Sequence, residues 1–151
     1  SIGHQISEIS SFPTNPDLNS FVKTLSEHIK KDVPFSVRNS KCDGIGIVIP
    51  GMVNRKTGVV INAPALRWRE VNLLKPLQAE FSGIEIELEN SGKACALSQI
   101  WATRSDQSDL NDIVFVSVSD GVGVGVVINS ELIRGKHNTG GEFGHVPLSI
   151  D

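Results

Sequence analysis

The segment Ser119-Asp120-Gly121-Val122-Gly123-Val124-Gly125 constrains the fold more than any other stretch of the chain. Alternate residues of a strand share a face, so Gly121, Gly123 and Gly125 leave one face bare while valines fill the other. A bare face admits another backbone, such as a packed helix, or the phosphates of a ligand reaching main-chain N–H groups. Spacing alone leaves both open. The segment is not a Rossmann fingerprint, because Val126-Val127-Ile128 continues as strand instead of opening a helix, and no GxxxxGK[ST] loop occurs anywhere. Asp120-Gly121, flanked by Ile113–Val118 and Val122–Ile128, carries the signal of a two-residue hairpin.

Upstream, helices alternate with strands, which predicts an α/β class with a mixed sheet. Residues 2–12 read as an exposed strand. Asn15-Pro16-Asp17 supplies a helix start, and Leu18, Phe21, Val22, Leu25 and Ile29 form one apolar stripe, so a helix is expected over 16–31. Ile45–Ile49 reads as a buried strand ending at Pro50-Gly51, and residues 52–68 as hairpin or loop. Leu73, Leu74, Leu77 and Phe81 predict a short helix stopping at Gly83, followed by a half-buried strand at Ile84, Ile86 and Leu88. Ser91 is expected to cap a helix with Ala94, Cys95, Leu97 and Trp101 inward, whose small residues suggest close packing on another backbone. The polar stretch 104–112 is the expected lobe boundary, dividing the chain into 1–111 and 112–151.

A second cluster, Gly140-Gly141-Glu142-Phe143-Gly144-His145, leaves room beside a carboxylate and an imidazole three residues apart. Such a pair can hydrogen-bond a polyhydroxylated ligand, and the imidazole can bind a metal. A single Glu-x-x-His is too short to decide. His28, His4, His137, Trp68 and Cys95 read more simply as boundary, surface or packing residues, and Lys23, Lys30, Lys31 and Arg38 as a solvated helix face. Fourteen Lys and Arg against seventeen Asp and Glu in 151 residues give a net charge of −3. That argues against a nucleic-acid or acidic-membrane surface within these residues. No apolar run approaches the roughly 18 residues of a membrane span. Cys42 and Cys95 make neither a disulfide framework nor a CxxC pair, so a reducing cytoplasm is the expected location.

Taken together, residues 118–145 resemble the signature of the ROK family of repressors and sugar kinases: Val118, Gly121, Val122, Gly123, Gly125, Val126, Gly135, Gly141, Gly144 and His145 fall in register. Gly44–Gly51 is similar to the family's strand and Pro-Gly turn, Ala63–Trp68 to its following loop, and Glu89-Asn90 to the start of its sugar-site motif. The resemblance implies an actin-like ATPase, ribonuclease-H-like fold, here an incomplete two-lobed one. It implies that Asn90, Glu142 and His145 bind sugar hydroxyls, that Gly121, Gly123 and Gly125 face nucleotide phosphates, and that His145 is a zinc ligand in zinc-containing members.

Departures from the family pattern matter most. The kinases follow Glu-Asn with an aspartate that takes the proton from the sugar hydroxyl; here Ser91 stands there. Loss of a general base typically costs roughly 10²–10⁴-fold. Asp120 and Val124 stand where kinases usually carry threonine and glycine, and a carboxylate there disfavours ATP phosphates. No cysteine follows His145, so this chain cannot assemble four zinc ligands. No catalytic residue and no cofactor of its own is therefore expected, zinc and ATP being matters for a full-length protein. The expected function is sugar sensing in a ROK-type transcriptional regulator, with DNA contacted only by a segment outside this chain and no membrane partner. The alternative is an ATP-dependent sugar kinase acting on a hexose hydroxyl. The family's Asp-x-Gly-x-Thr hairpin is absent, which would leave Ile2–Phe12 and Ile45–Ile49 with unpaired edges. A homodimer or larger assembly, a strand swap, or an internal piece of a longer protein is the expected consequence.

Overall fold

The computed structural model describes residues 9–32, 42–104, 111–119, 121–136 and 138–146. It divides into two compact units, Gln5–Glu89 and Asn90–Asp151. That boundary falls earlier than the sequence-based 111/112, because the helix before the polar stretch packs on the strands after it. Expectations for residues 2–8, Arg38, Asp120 and His137 lie outside the described residues.

In the first unit, residues 9–12 are irregular rather than strand. Helix α1 (Leu18–Asp32) follows. Its cap is Asp17, whose Oδ1 accepts the Ser20 N–H at 2.9 Å, while Asn15 Oδ1 accepts the Asp17 N–H at 2.9 Å. Hydrogen bonds from Ser20, its backbone N–H first and its side chain second, hold the Asp17 carboxyl below its ordinary value. The predicted stripe faces the core, with Val22 buried and Leu18, Phe21, Leu25 and Ile29 packed beside it.

Strand β1 (Gly44–Ile49) pairs with β5 (Glu85–Asn90). Of the expected buried strand only Ile49 is buried, with Ile45 and Ile47 partly so, since among the described residues this sheet has two strands. Strands β2 (Met52–Asn54) and β3 (Val59–Ala63) form the anticipated hairpin, closed where Asn54 Oδ1 accepts the N–H groups of Lys56 and Thr57. A one-turn 3₁₀ segment at Pro64–Leu66 leads into β4 (Trp68–Asn72), which continues the antiparallel sheet from β3. Helix α2 (Leu74–Glu80) places Leu77 in a core that includes Val53, Val60, Trp68, Leu73, Phe81, Ile86 and Leu88. Trp68 is a packing residue: its ring meets Phe21 edge-on at 5.0 Å, and its Nε1–H donates to the Pro16 carbonyl at 2.7 Å.

The second unit is built on helix α3 (Ser91–Arg104) and the antiparallel sheet β6 (Ile113–Val118), β7 (Val122–Ile128) and β8 (Glu131–Leu132). Val118 pairs with Val122, so the hairpin turn has three residues, 119–121, rather than two; the Ser119 N–H donates to the Gly121 carbonyl at 2.9 Å. Asn129 and Ser130 turn β7 into β8 with positive φ, held by Asp112 and Asn111. Ile113, Phe115, Val127 and Leu132 pack with Ala96 and Ile100 into a small core. The buried face of α3 is thus Gly92, Lys93, Ala96 and Ile100, not the face through Trp101, which is 63% exposed. On the opposite side of the hairpin, Val114, Val116 and Val118 stay exposed.

Candidate functional site

The glycines of β7 answer the question left by their spacing. A side chain at Gly125 would strike the Gly92 carbonyl oxygen and the Ala96 Cβ of α3, and one at Gly123 would touch the Gly92 Cα at 3.7 Å. The bare face seats the helix backbone, so small residues meet small residues across that contact. Gly121 alone of the three has open space around it. The bareness of Gly125 is therefore spent on packing, while a side chain at Gly123 would make only an ordinary contact with α3. The second cluster behaves alike: side chains at Gly141 and Gly144 would strike the Val124 and Val122 carbonyl oxygens, so these glycines bring the loop against β7 rather than hold space for a ligand.

That close approach brings three sequence-predicted residues onto one hydrogen-bonded path. Asn90, nearly buried, ends β5, and its Oδ1 accepts the Lys93 backbone N–H at 3.2 Å. Asn90, not Ser91, therefore supplies the side-chain cap of α3. Lys93 is fully buried, and its Nζ donates to Glu142 Oε1 at 3.0 Å and to the Asn138 carbonyl at 2.9 Å. The Glu142 carbonyl in turn accepts the His145 N–H at 3.2 Å, inside a one-turn 3₁₀ segment, Phe143–His145. The Glu142 side chain keeps 21% of its surface exposed, and His145 is exposed. One end of the ion pair is therefore dry and the other opens outward, an arrangement suited to a carboxylate that meets a ligand while anchored from behind.

Lys93 was not among the residues the sequence singled out. A signal existed: a lone cation among Gly92, Ala94, Cys95, Ala96 and Leu97 interrupts an otherwise small and apolar helix face, and a buried ammonium requires a partner. Ser91 opens α3 beside Asn90 and carries a hydroxyl, not a carboxylate. Among the described residues no three His, Cys, Asp or Glu side chains gather, and His145 alone cannot complete a tetrahedral site. Also among the described residues, no helix is long and apolar enough to cross a membrane.

Comparison with known proteins extends this picture. The ROK family model matches residues 7–151. The xylose repressor of Caldicellulosiruptor bescii is 29% identical over 144 residues, covering 95% of this chain and 35% of the repressor. The beta-glucoside kinase of Listeria monocytogenes is 34% identical over 113 residues, 74% of this chain and 37% of the kinase. A ROK family glucokinase from Streptomyces griseus, solved with glucose and AMPPNP, superposes with a TM-score of 0.74 at 23% identity over 90% of this chain and 41% of the enzyme. The chain spans little more than a third of the length of these two relatives. The match places the fold in the actin-like ATPase class.

Proposed function

The chain belongs to the ROK family, and from that premise we propose that it is the sugar-sensing portion of a cytoplasmic transcriptional regulator that binds carbohydrate without phosphorylating it. Asn90, Glu142 and His145 are the proposed ligands of the sugar hydroxyls, with the Glu142 carboxylate as acceptor and the His145 imidazole able to donate or accept. A single observation carries the reading: Ser91 follows Asn90 where the family's kinases carry their aspartate base. A serine hydroxyl does not take a proton from another hydroxyl near neutral pH, so the reacting oxygen has no general base at that position. The buried α3–β7 contact also supports it, since Gly125 is committed to packing against Gly92 and Ala96 rather than to phosphates. The similarity to a xylose repressor makes a pentose the first ligand to try. DNA contact belongs to a segment beyond these residues, and the regulator is proposed to work as a homodimer or larger assembly.

A kinase reading is favoured by the beta-glucoside kinase similarity, at 34% identity. A coupled ADP-release assay on the full-length protein across common hexoses and pentoses separates the two. No turnover together with saturable sugar binding by calorimetry is expected, whereas turnover near about 1 s⁻¹, ordinary for an enzyme, would replace the regulator with a kinase.

A further inference from the structure

We propose that Lys93 is the positioning residue of this sugar site, holding Asn90 through its backbone and Glu142 through its side chain, and so setting which pattern of sugar hydroxyls is accepted. The proposal rests on the sugar-binding reading above. Lys93 has no exposed surface and cannot itself touch a ligand. Its backbone N–H is the donor to Asn90 Oδ1, and at the far end of its side chain Nζ reaches Glu142 Oε1 and the Asn138 carbonyl. One residue thus spans the end of β5 and the 138–142 loop, the two places that carry the sugar ligands. Glu142 offers one oxygen to Lys93 and is partly exposed, so the rotation of its carboxylate, and with it the direction of its remaining lone pairs, is fixed from the buried side.

Stability alone is a poor explanation for this lysine. Burying an ammonium and a carboxylate costs more desolvation than an apolar pair of similar volume would, and such pairs often contribute little net stability. A buried charge that instead defines the orientation of a ligand-binding group has a use that methionine could not serve.

The test uses the full-length protein and calorimetry with xylose, glucose and their epimers. Lys93→Met is expected to weaken the preferred sugar by about tenfold or more and to flatten the preference between epimers, because discrimination depends on well-aimed polar groups. Lys93→Arg, which keeps a charged donor, is expected to restore part of that preference. Lys93→Met combined with Glu142→Gln should lose little beyond Glu142→Gln alone, since both act through one contact. Where Lys93→Met does not fold, the ammonium resonance of Lys93 in the wild-type protein, assigned with Lys93→Arg, is followed during sugar titration and is expected to shift. If the wild-type protein binds sugar but Lys93→Met keeps affinity and epimer preference, or the Lys93 resonance stays still at saturation, the positioning role is overturned while the sugar site stands. If no sugar binds the wild-type protein, the sugar-site reading falls and takes this role with it.

Discussion

The two units hold themselves together by different means. Gln5–Glu89 has a contiguous apolar core, with Val53, Val60, Leu73 and Leu77 fully or almost fully buried and the α1 stripe laid against it. Among the described residues of Asn90–Asp151 the buried cluster is Ala96, Ile100, Val127 and Leu132, and Val114, Val116 and Val118 are exposed. This unit's close contacts are that of Gly92 and Ala96 with Gly125 and the ion pair between buried Lys93 and partly exposed Glu142. The first unit is stabilised by area removed from water, which tolerates modest rearrangement. In the second, a few close contacts must each be right. The proposed ligand-binding residues belong to the second, where a charged group can be oriented by structure and not merely covered by it.

Variants at the centre of each region can break this contrast. Glu142→Ala, which leaves Lys93 buried without its carboxylate, is expected to have the largest effect, about 3–5 kcal/mol. Denaturant unfolding measures it, and hydrogen exchange should locate the loss in residues 90–146. A change below about 1 kcal/mol would mean that the pair is an incidental surface contact. Leu77→Ala should cost about 2–5 kcal/mol by emptying part of the core, with exchange protection lost among residues 44–90 instead. If protection fell equally in both regions, the division between them would be wrong. Gly125→Ala should cost about 1–3 kcal/mol, because the added methyl meets the backbone of α3 and neither side can retreat. Retained stability there would mean that α3 stands further from β7. The smallest effect concerns Asp17. Its carboxyl titrates below the ordinary value in the folded state, so its contribution is present above the usual carboxylate pKa and is lost as pH falls through the lowered one. Asp17→Ala should remove that acid-limb dependence, visible as a flatter midpoint-versus-pH curve at low pH.

Local pattern identified most of the elements correctly. The α1 stripe, the short helix ending before Gly83, and strands 113–118 and 122–128 all follow from periodicity and turn chemistry, which act over a few residues, while 52–68 read only as hairpin or loop. Strand β4 was missed, because Arg69 and Glu70 interrupt its apolar pattern, and β8 because two residues carry no period. The α3 face was misassigned for a related reason: Trp101 is apolar enough to be placed inward, but the β7 surface it would have to face is already filled by Gly92, Ala96 and Ile100.

At the candidate site the division is sharper. Glu142 and His145 stood out as a carboxylate and an imidazole three residues apart, whereas Asn90 and Ser91 drew notice only through the resemblance to the family's motif. Lys93 was missed, since its importance depends on a carboxylate and a carbonyl more than forty residues away. The sequence by itself determined that a strand with glycine at alternate positions must accept something against its bare face. Only the tertiary structure decided that a helix backbone occupies it at Gly123 and Gly125, because which of two permitted neighbours arrives depends on contacts between segments that no local pattern encodes.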